Sequence, residues 1–207
     1  MRPLRTFLAC ATLLISVGAV AHATTVIPPE FSELSQNSDY VVRGKVKSVR
    51  YEMRTLAGRE VPFTLAEIAV TDVIAGTPPT QVVLTMLGGK ASTGGELVVE
   101  GVPRFVVGDE SIFFVKNNGT NFYPLYAVMH GVYPVKRDKA TGREYVARAN
   151  GLPLSATAEV ALPLAEGKAA QELRKHIKIS DALSVAEFKQ SIRESRALRQ
   201  GGEANAR

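Results

Sequence analysis

Between residues 39 and 116 apolar and polar positions alternate with a period of two, which predicts half-buried β-strands rather than helices. Tyr40, Val42, Gly44 and Val46 fall on one side, and Val41, Arg43, Lys45 and Lys47 on the other. After Lys47 the phase slips: Val49, Tyr51 and Met53 continue the apolar set while Arg50, Glu52 and Arg54 continue the polar one. One extra residue at Lys47-Ser48 accounts for the slip and predicts a β-bulge. Gly44, just ahead of it, lets the strand bend as it must to serve two sides of a small closed barrel. The outward row of Arg43, Lys45 and Lys47 reads as a solvated or edge-protecting face.

A turn at Leu56-Ala57-Gly58-Arg59 leads into a second long strand, residues 61–75, expected to return antiparallel to the first. Thr64, Ala66, Ile68 and Val70 share one face; Phe63, Leu65, Ala69 and Val73 share the other. Apolar residues on both faces require something to cover the outside. Gly76-Thr77-Pro78-Pro79 breaks the ladder, and residues 82–87 form a third strand. Residues 110–116, with Ile112, Phe113, Phe114 and Val115, read as a buried strand ending in an Asn117-Asn118-Gly119-Thr120 turn. Further strands are predicted at 122–128, 132–136 and 143–148, the last two joined through residues 138–142.

Ahead of these strands Pro28-Pro29 excludes an early helix. Residues 31–38 are expected to form no more than a helical turn, with Phe31 and Leu34 plugging a barrel end. Residues 149–183 read as a linker, loop-like at first and partly helical over 166–179. Ser184-Val185-Ala186-Glu187 has capping-box form and opens a C-terminal helix expected over 184–200. Val185, Phe188, Ile192 and Ser195 share its apolar face, and Lys189, Arg193 and Arg196 a basic one, read as the solvated side of a docked helix. Gly201-Gly202 is expected to end it, with a disordered tail over 201–207. The fold class is therefore mainly β: a small antiparallel barrel over residues 24–148, a C-terminal β extension and one C-terminal amphipathic helix.

The first 23 residues change the picture of where the chain works. Arg2 and Arg5 precede an apolar run over 7–20, which ends at Ala21-His22-Ala23. This is a signal-peptide layout over residues 1–23: Ala21 and Ala23 suit a cleavage enzyme that accepts small side chains, and Thr24 would begin the mature chain. The run is shorter than the ~20 residues a membrane span needs. A periplasmic or extracellular product with no membrane span in the mature chain is expected. Cys10, the single cysteine, leaves with the signal, and with it any disulfide, thiol nucleophile or thiolate metal site.

Residues 24–165 carry fourteen acids and fourteen bases, so the basic excess of the mature chain lies wholly in residues 166–207. With a neutral barrel and no concentrated basic footprint, a nucleic-acid partner is disfavoured.

Candidate chemistry is sparse. The run Gly88–Gly95 invites a phosphate-loop reading, but Lys90 is followed by Ala91 and then by strand-like residues instead of a helix, so a flexible β-connection is expected. No HExxH, GxSxG or SxxK occurs. His130 and His176 are the only histidines after the signal, and lone histidines read as packing or turn residues. Asp109 and Glu110 are neighbours in an extended chain, so their carboxylates point to opposite faces. No catalytic residue, metal ligand or cofactor is assigned, and no enzyme is expected. Nothing in the pattern sets an oligomeric state.

Several segments resemble a family of exported bacterial β-barrel proteins of unknown function: Ser38-Asp-Tyr-Val-Val-Arg-Gly-Lys-Val46, Thr71-Asp-Val-Ile-Ala-Gly76, Gly88-Gly89, Gly101-Val-Pro-Arg-Phe105 and Val107-Gly-Asp-Glu110. Members end in a late helix with Phe and Ile-Arg, here Phe188 and Ile192-Arg193. The first half is also similar to the OB-type barrel of netrin-like domains and tissue metalloprotease inhibitors. The resemblance implies an OB-like barrel and a role in binding a protein, such as a secreted protease or an envelope component. It does not carry over the inhibitor mechanism, because those inhibitors place an N-terminal cysteine on the catalytic zinc. Where the family often has Gln-Gly-Lys-Phe, this chain has His130-Gly-Val-Tyr133.

The expected function is a non-enzymatic module that binds a protein through loops at a barrel end or an exposed strand edge. The competing class is an OB-type binder of glycan or single-stranded nucleic acid. That class needs exposed aromatics among bases, whereas Tyr40 and Tyr51 lie on the inward register. A carboxylate-dependent hydrolase ranks third.

Overall fold

Strand β1 (Tyr40–Leu56) is the spine of the molecule, pairing along its whole length with β2 (Arg59–Gly76) and through Tyr40–Lys45 with β6 (Glu110–Val115). The computed structural model describes residues 26–205. With β3 (Val82–Leu87), β7 (Val132–Arg137) and β8 (Glu144–Val146), these strands form one antiparallel sheet in the order β3-β2-β1-β6-β7-β8. A second sheet pairs β4 (Gly89–Lys90) with β5 (Glu96–Leu97). Three helices complete the described residues: α1 (Phe31–Asn37), α2 (Gly167–His176) and α3 (Val185–Asn205). The chain is mainly β with a C-terminal helix. The residues of the predicted signal cleavage, Ala21, Ala23 and Thr24, lie outside the described region. No helix among the described residues is long and apolar enough to cross a membrane.

The bulge is where the phase slip put it: Val46 faces Ile68 and Ser48 faces Glu67, leaving Lys47 extra. Gly44 sits at the bend because there is no room for a side chain. A Cβ there would stand 2.5 Å from Ile68 Cγ2 and 2.8 Å from the Ala69 carbonyl oxygen.

Apolar residues on both strand faces find a cover on each side. Val42, Val46, Ala66, Ile68, Leu84 and Phe113 pack into one core, while Val41, Ile74, Ile112, Phe114 and Tyr133 pack into another with Leu34 of α1 and Phe188 and Ile192 of α3. Residues 31–37 thus form a full short helix laid beside α3, not a turn plugging a barrel end. The capping box forms as its spacing demanded. The Ser184 N–H donates to Glu187 Oε2 at 2.8 Å and the Glu187 N–H to Ser184 Oγ at 3.2 Å.

Four expectations are corrected. The row Arg43, Lys45, Lys47 is solvated at Lys45 and Lys47 but protects no edge, because β1 lies between β2 and β6 up to Lys45. Its cations meet carboxylates instead: Arg43 Nε lies 2.6 Å from Glu110 and Nη2 2.9 Å from Glu144, and Lys47 lies 2.8 Å from Glu67. The strand predicted at 122–128 reduces to one bridge, Leu125 to Val115. Beyond it Ala127 (φ 49°) and Val128 (φ 55°) turn left-handed and a 3-10 turn follows over Val128–Gly131. The reversal packs Gly131 so close to Tyr126 that a Cβ would meet the Tyr126 carbonyl oxygen at 2.6 Å, an approach only glycine permits. The strand predicted over 143–148 keeps only Glu144–Val146, because Arg148 turns back to accept the Gly151 N–H at 2.7 Å. Last, α3 runs through Gly201-Gly202 to Asn205, since neither glycine takes the positive φ that ends helices.

The outer edges of the sheet are occupied. On β3, Asn118 Nδ2 donates to the Val83 carbonyl at 2.9 Å and the Leu87 N–H donates to the Phe122 carbonyl at 3.0 Å. The same segment holds β6 through Lys116 N–H to the Pro124 carbonyl at 2.9 Å. An irregular bridge therefore spans from β6 to β3 where a closed barrel would have a ladder. On β8, the Val146 N–H donates to the Leu183 carbonyl and its carbonyl accepts the Leu154 N–H.

Candidate binding surface

The edge of β1 beyond the end of β6 is left without such cover. β6 follows β1 only as far as Lys45, and the last backbone bonds on that side are Val46 N–H to Asp109 O (2.9 Å) and Gly108 N–H to Val46 O (2.8 Å). From Ser48 to Leu56 no strand lies beside β1 on this side, and beyond the Glu52–Phe63 pair the β1–β2 hairpin outruns β3 as well; no further backbone bond reaches the β1 edge among the described residues. The phase of this edge follows from Pro62. Its carbonyl accepts the Gly88 N–H at 2.9 Å on the β3 side, so its β1 partner Met53 turns its own N–H and carbonyl away from β2. By alternation Tyr51 and Val49 do the same.

The glycine-rich run folds back over the inner face of this hairpin. Gly88 (φ 108°) and Gly89 (φ 121°) make the reversal. A Cβ on Gly89 would stand 2.5 Å from both Thr64 Oγ1 and the Tyr51 ring, so β4 lies flat against β1 and β2. Thr64 Oγ1 donates to the Gly88 carbonyl at 2.7 Å, fixing the turn. This is the β-connection expected in place of a phosphate loop.

Between the hairpins lies a cleft of about 280 Å³ lined by Val49, Tyr51, Lys90, Leu97, Arg104 and Phe105, among others. A second hollow of about 360 Å³, with Val46, Met129, Val132 and Pro134 in its wall, lies on the other side of the segment 102–106. That segment is a ridge between two hollows, anchored by Phe105 with its ring centroid 6.0 Å from that of Phe113. Val106 on this ridge, Val107 next after it and Val98 across the cleft lining stand out to solvent, 60%, 61% and 62% exposed. Cations border the cleft: Lys90 Nζ lies 5.9 Å from the Tyr51 ring centroid, and Arg104 pairs with Glu96 at 3.5 Å. Tyr51 is 41% exposed, against the expectation that it faces inward. It does stand on the inner register, but the sheet is open at this end and that register faces solvent.

The sequence candidates for chemistry do not converge. Glu110 is engaged by Arg43 while Asp109 is exposed in the turn before β6. His176 ends α2 on the surface. No group of three His, Cys, Asp or Glu close enough to hold a metal occurs among the described residues. His130 is 7% exposed under the 127–131 turn, where burial and then the nearby charge of Arg148 hold its pKa below the ordinary histidine value. Arg148 is itself buried and donates to the Pro163 carbonyl at 3.3 Å and to the Leu162 carbonyl.

The consequence of a neutral, buried His130 has a definite sign. As pH falls, the unfolded chain takes up this proton first, near pH ~6.5, while the folded chain resists it, so protonation favours unfolding. The stability is complete above that pH and declines as pH drops below it, before the carboxylates titrate. Urea midpoints of the wild type should fall between pH 7.5 and pH 5, and His130→Gln should flatten this decline. An unchanged slope in the variant would assign the decline to another group.

The ridge escaped the sequence reading because Val106 and Val107 belong to no period, while Val98 reads as part of a strand-like run that ends at Leu97 in the structure. The one available signal of Val106 and Val107 was a pair of apolar residues between turns, unaccounted for by any strand. No protein-family model matches the chain, and no curated protein matches its sequence.

Proposed function

We propose that the protein is an exported, non-enzymatic binding module that recognises a protein partner at the open end of the sheet. The observation supporting this reading is the set of exposed valines, Val98, Val106 and Val107, on and beside the ridge between two hollows. Contiguous apolar surface rimmed by polar residues is characteristic of interaction sites, and an aliphatic ridge has two recesses beside it for a partner's side chains. A secreted protease or an envelope component is the class of partner in view.

The test is capture of a partner from the exported fraction with the tagged mature chain under mild crosslinking. A single stoichiometric partner is expected with the wild type. Binding should weaken by about tenfold or more for V106D/V107D, since truncation or charge at an interface centre costs ~2 kcal/mol or more. The exposed helix variant Arg193→Ala should leave it unchanged. A chain that captures nothing, or a partner retained by V106D/V107D, would remove the reading.

A second reading rests on Tyr51. A half-exposed aromatic ring with Lys90 above it is a platform on which a sugar ring or a base can stack. Titration with oligosaccharides and single-stranded oligonucleotides, with Tyr51→Ala as the control, decides between the two.

A further inference from the structure

We infer that the open edge of β1 is a self-association surface, where two copies of this chain join their sheets antiparallel about a two-fold axis at Tyr51. The edge offers outward N–H and carbonyl groups at Val49, Tyr51 and Met53, in the phase set by Pro62. It carries no proline and no bulge beyond Lys47, two of the devices that blunt exposed edges. Nor does it carry charges of a single sign, which would repel a second copy.

Charge complementarity selects the register. Outward groups must meet outward groups, so Tyr51 can face the partner's Tyr51, or the pairing can slide by whole steps from there. With the two-fold axis at Tyr51, Arg50 faces the partner's Glu52 and Glu52 faces the partner's Arg50, while Val49 faces the partner's Met53 on the other side of the sheet. Sliding so that Tyr51 faces the partner's Met53 sets Glu52 against the partner's Glu52 and Arg50 against the partner's Arg54, both repulsive. A further slide to a two-fold axis at Met53 makes Arg–Glu pairs again but loses the pairing of Val49 and shortens the ladder. The sequence of the edge thus complements itself best in one alignment.

Such an interface is isologous, and its two-fold axis stands perpendicular to the joined sheet. Val49 and Tyr51, which line the cleft, lie on the same face in both copies. The two clefts and ridges therefore face the same way across a continuous sheet, and the assembly is bivalent for whatever that surface binds. The inference stands apart from the partner-binding reading: it concerns the edge and not the ridge, and its readout is the mass of the particle.

Sedimentation velocity of the exported mature chain tests it. A reversible dimer is expected for the wild type. Arg50→Glu alone, or Glu52→Arg alone, sets like charges opposite at both symmetric pairs and should raise the dimer dissociation constant on the order of tenfold. The double variant R50E/E52R reverses both signs and should restore the dimer. The two single variants, each impaired alone, should form a mixed dimer on combination. Arg50 is exposed, and Glu52 is half-exposed and pairs with Arg54 of its own strand, a surface contact of small worth, so the circular dichroism of each variant should match the wild type and its thermal midpoint should move little. A wild type that stays monomeric, or a dimer indifferent to the single variants or unrestored in the double variant, would overturn the inference.

Discussion

Replacing Phe188 with alanine is expected to cost about 3–5 kcal/mol of folding stability, the range for truncating a fully buried aromatic. The ring is wholly buried and lies with its centroid 5.0 Å from that of Tyr133, 5.8 Å from Phe31 and 6.1 Å from Phe114. It is therefore the point where α3, α1 and the outer face of the sheet meet. None of these neighbours can close the hole alone, because Phe114 and Tyr133 are held by strand pairing and Phe31 sits at the start of a short helix. The cost should appear as a lowered urea midpoint of one cooperative transition. A loss below about 1 kcal/mol would mean that α3 is not seated on the sheet in solution.

The docking of α3 was legible because its signals are local. Ser184 and Glu187 are three positions apart, and Phe188 and Ile192 recur at helical spacing, so one stretch of sequence contains both the cap and the buried face. β1 was legible for the same reason: an alternation broken once at Lys47 specifies a bulge without reference to the rest of the chain. What failed to be legible depends on residues brought from afar. Arg43 reads as a solvated cation until Glu110 and Glu144, 67 and 101 positions away, are set beside it.

The strand expected at 122–128 had the right composition, yet the chain turns left-handed at Ala127 and Val128 and packs Gly131 on Tyr126, a contact that no period records. Tyr51 was assigned its correct face, but whether that face is covered depends on how far β6 extends, and β6 stops short. The candidate surface lies in this last category. It exists because the hairpin outruns its neighbour and because residues 98–107 lie beside it without strand structure.

The basic face of α3 allows a sharper contrast, since Arg193 and Arg196 are neighbours on the same predicted solvated row. Arg193 is exposed. Arg196 instead reaches α1: its Nε donates to the Ser35 carbonyl at 2.7 Å and its Nη2 to the Ser38 carbonyl. These are carbonyls at the C-terminal end of a short helix, which has no turn beyond it to satisfy them. Ser35 Oγ and Ser195 Oγ, 2.7 Å apart and buried, seal the same seam, and Gln36 Nε2 donates to the Ser195 carbonyl at 2.9 Å. Arg196→Ala should therefore cost about 2–3 kcal/mol, as expected when charge-assisted bonds to partly buried acceptors are removed. Arg196→Lys should recover only part, because an ammonium cannot span two carbonyls as the guanidinium fork does. Arg193→Ala should fall within about 0.5 kcal/mol of the wild type. Chemical unfolding of the three variants separates the cases. Equal, small effects at both arginines would return both to solvent, whereas a loss confined to Arg196 makes it the clasp that holds α1 to α3.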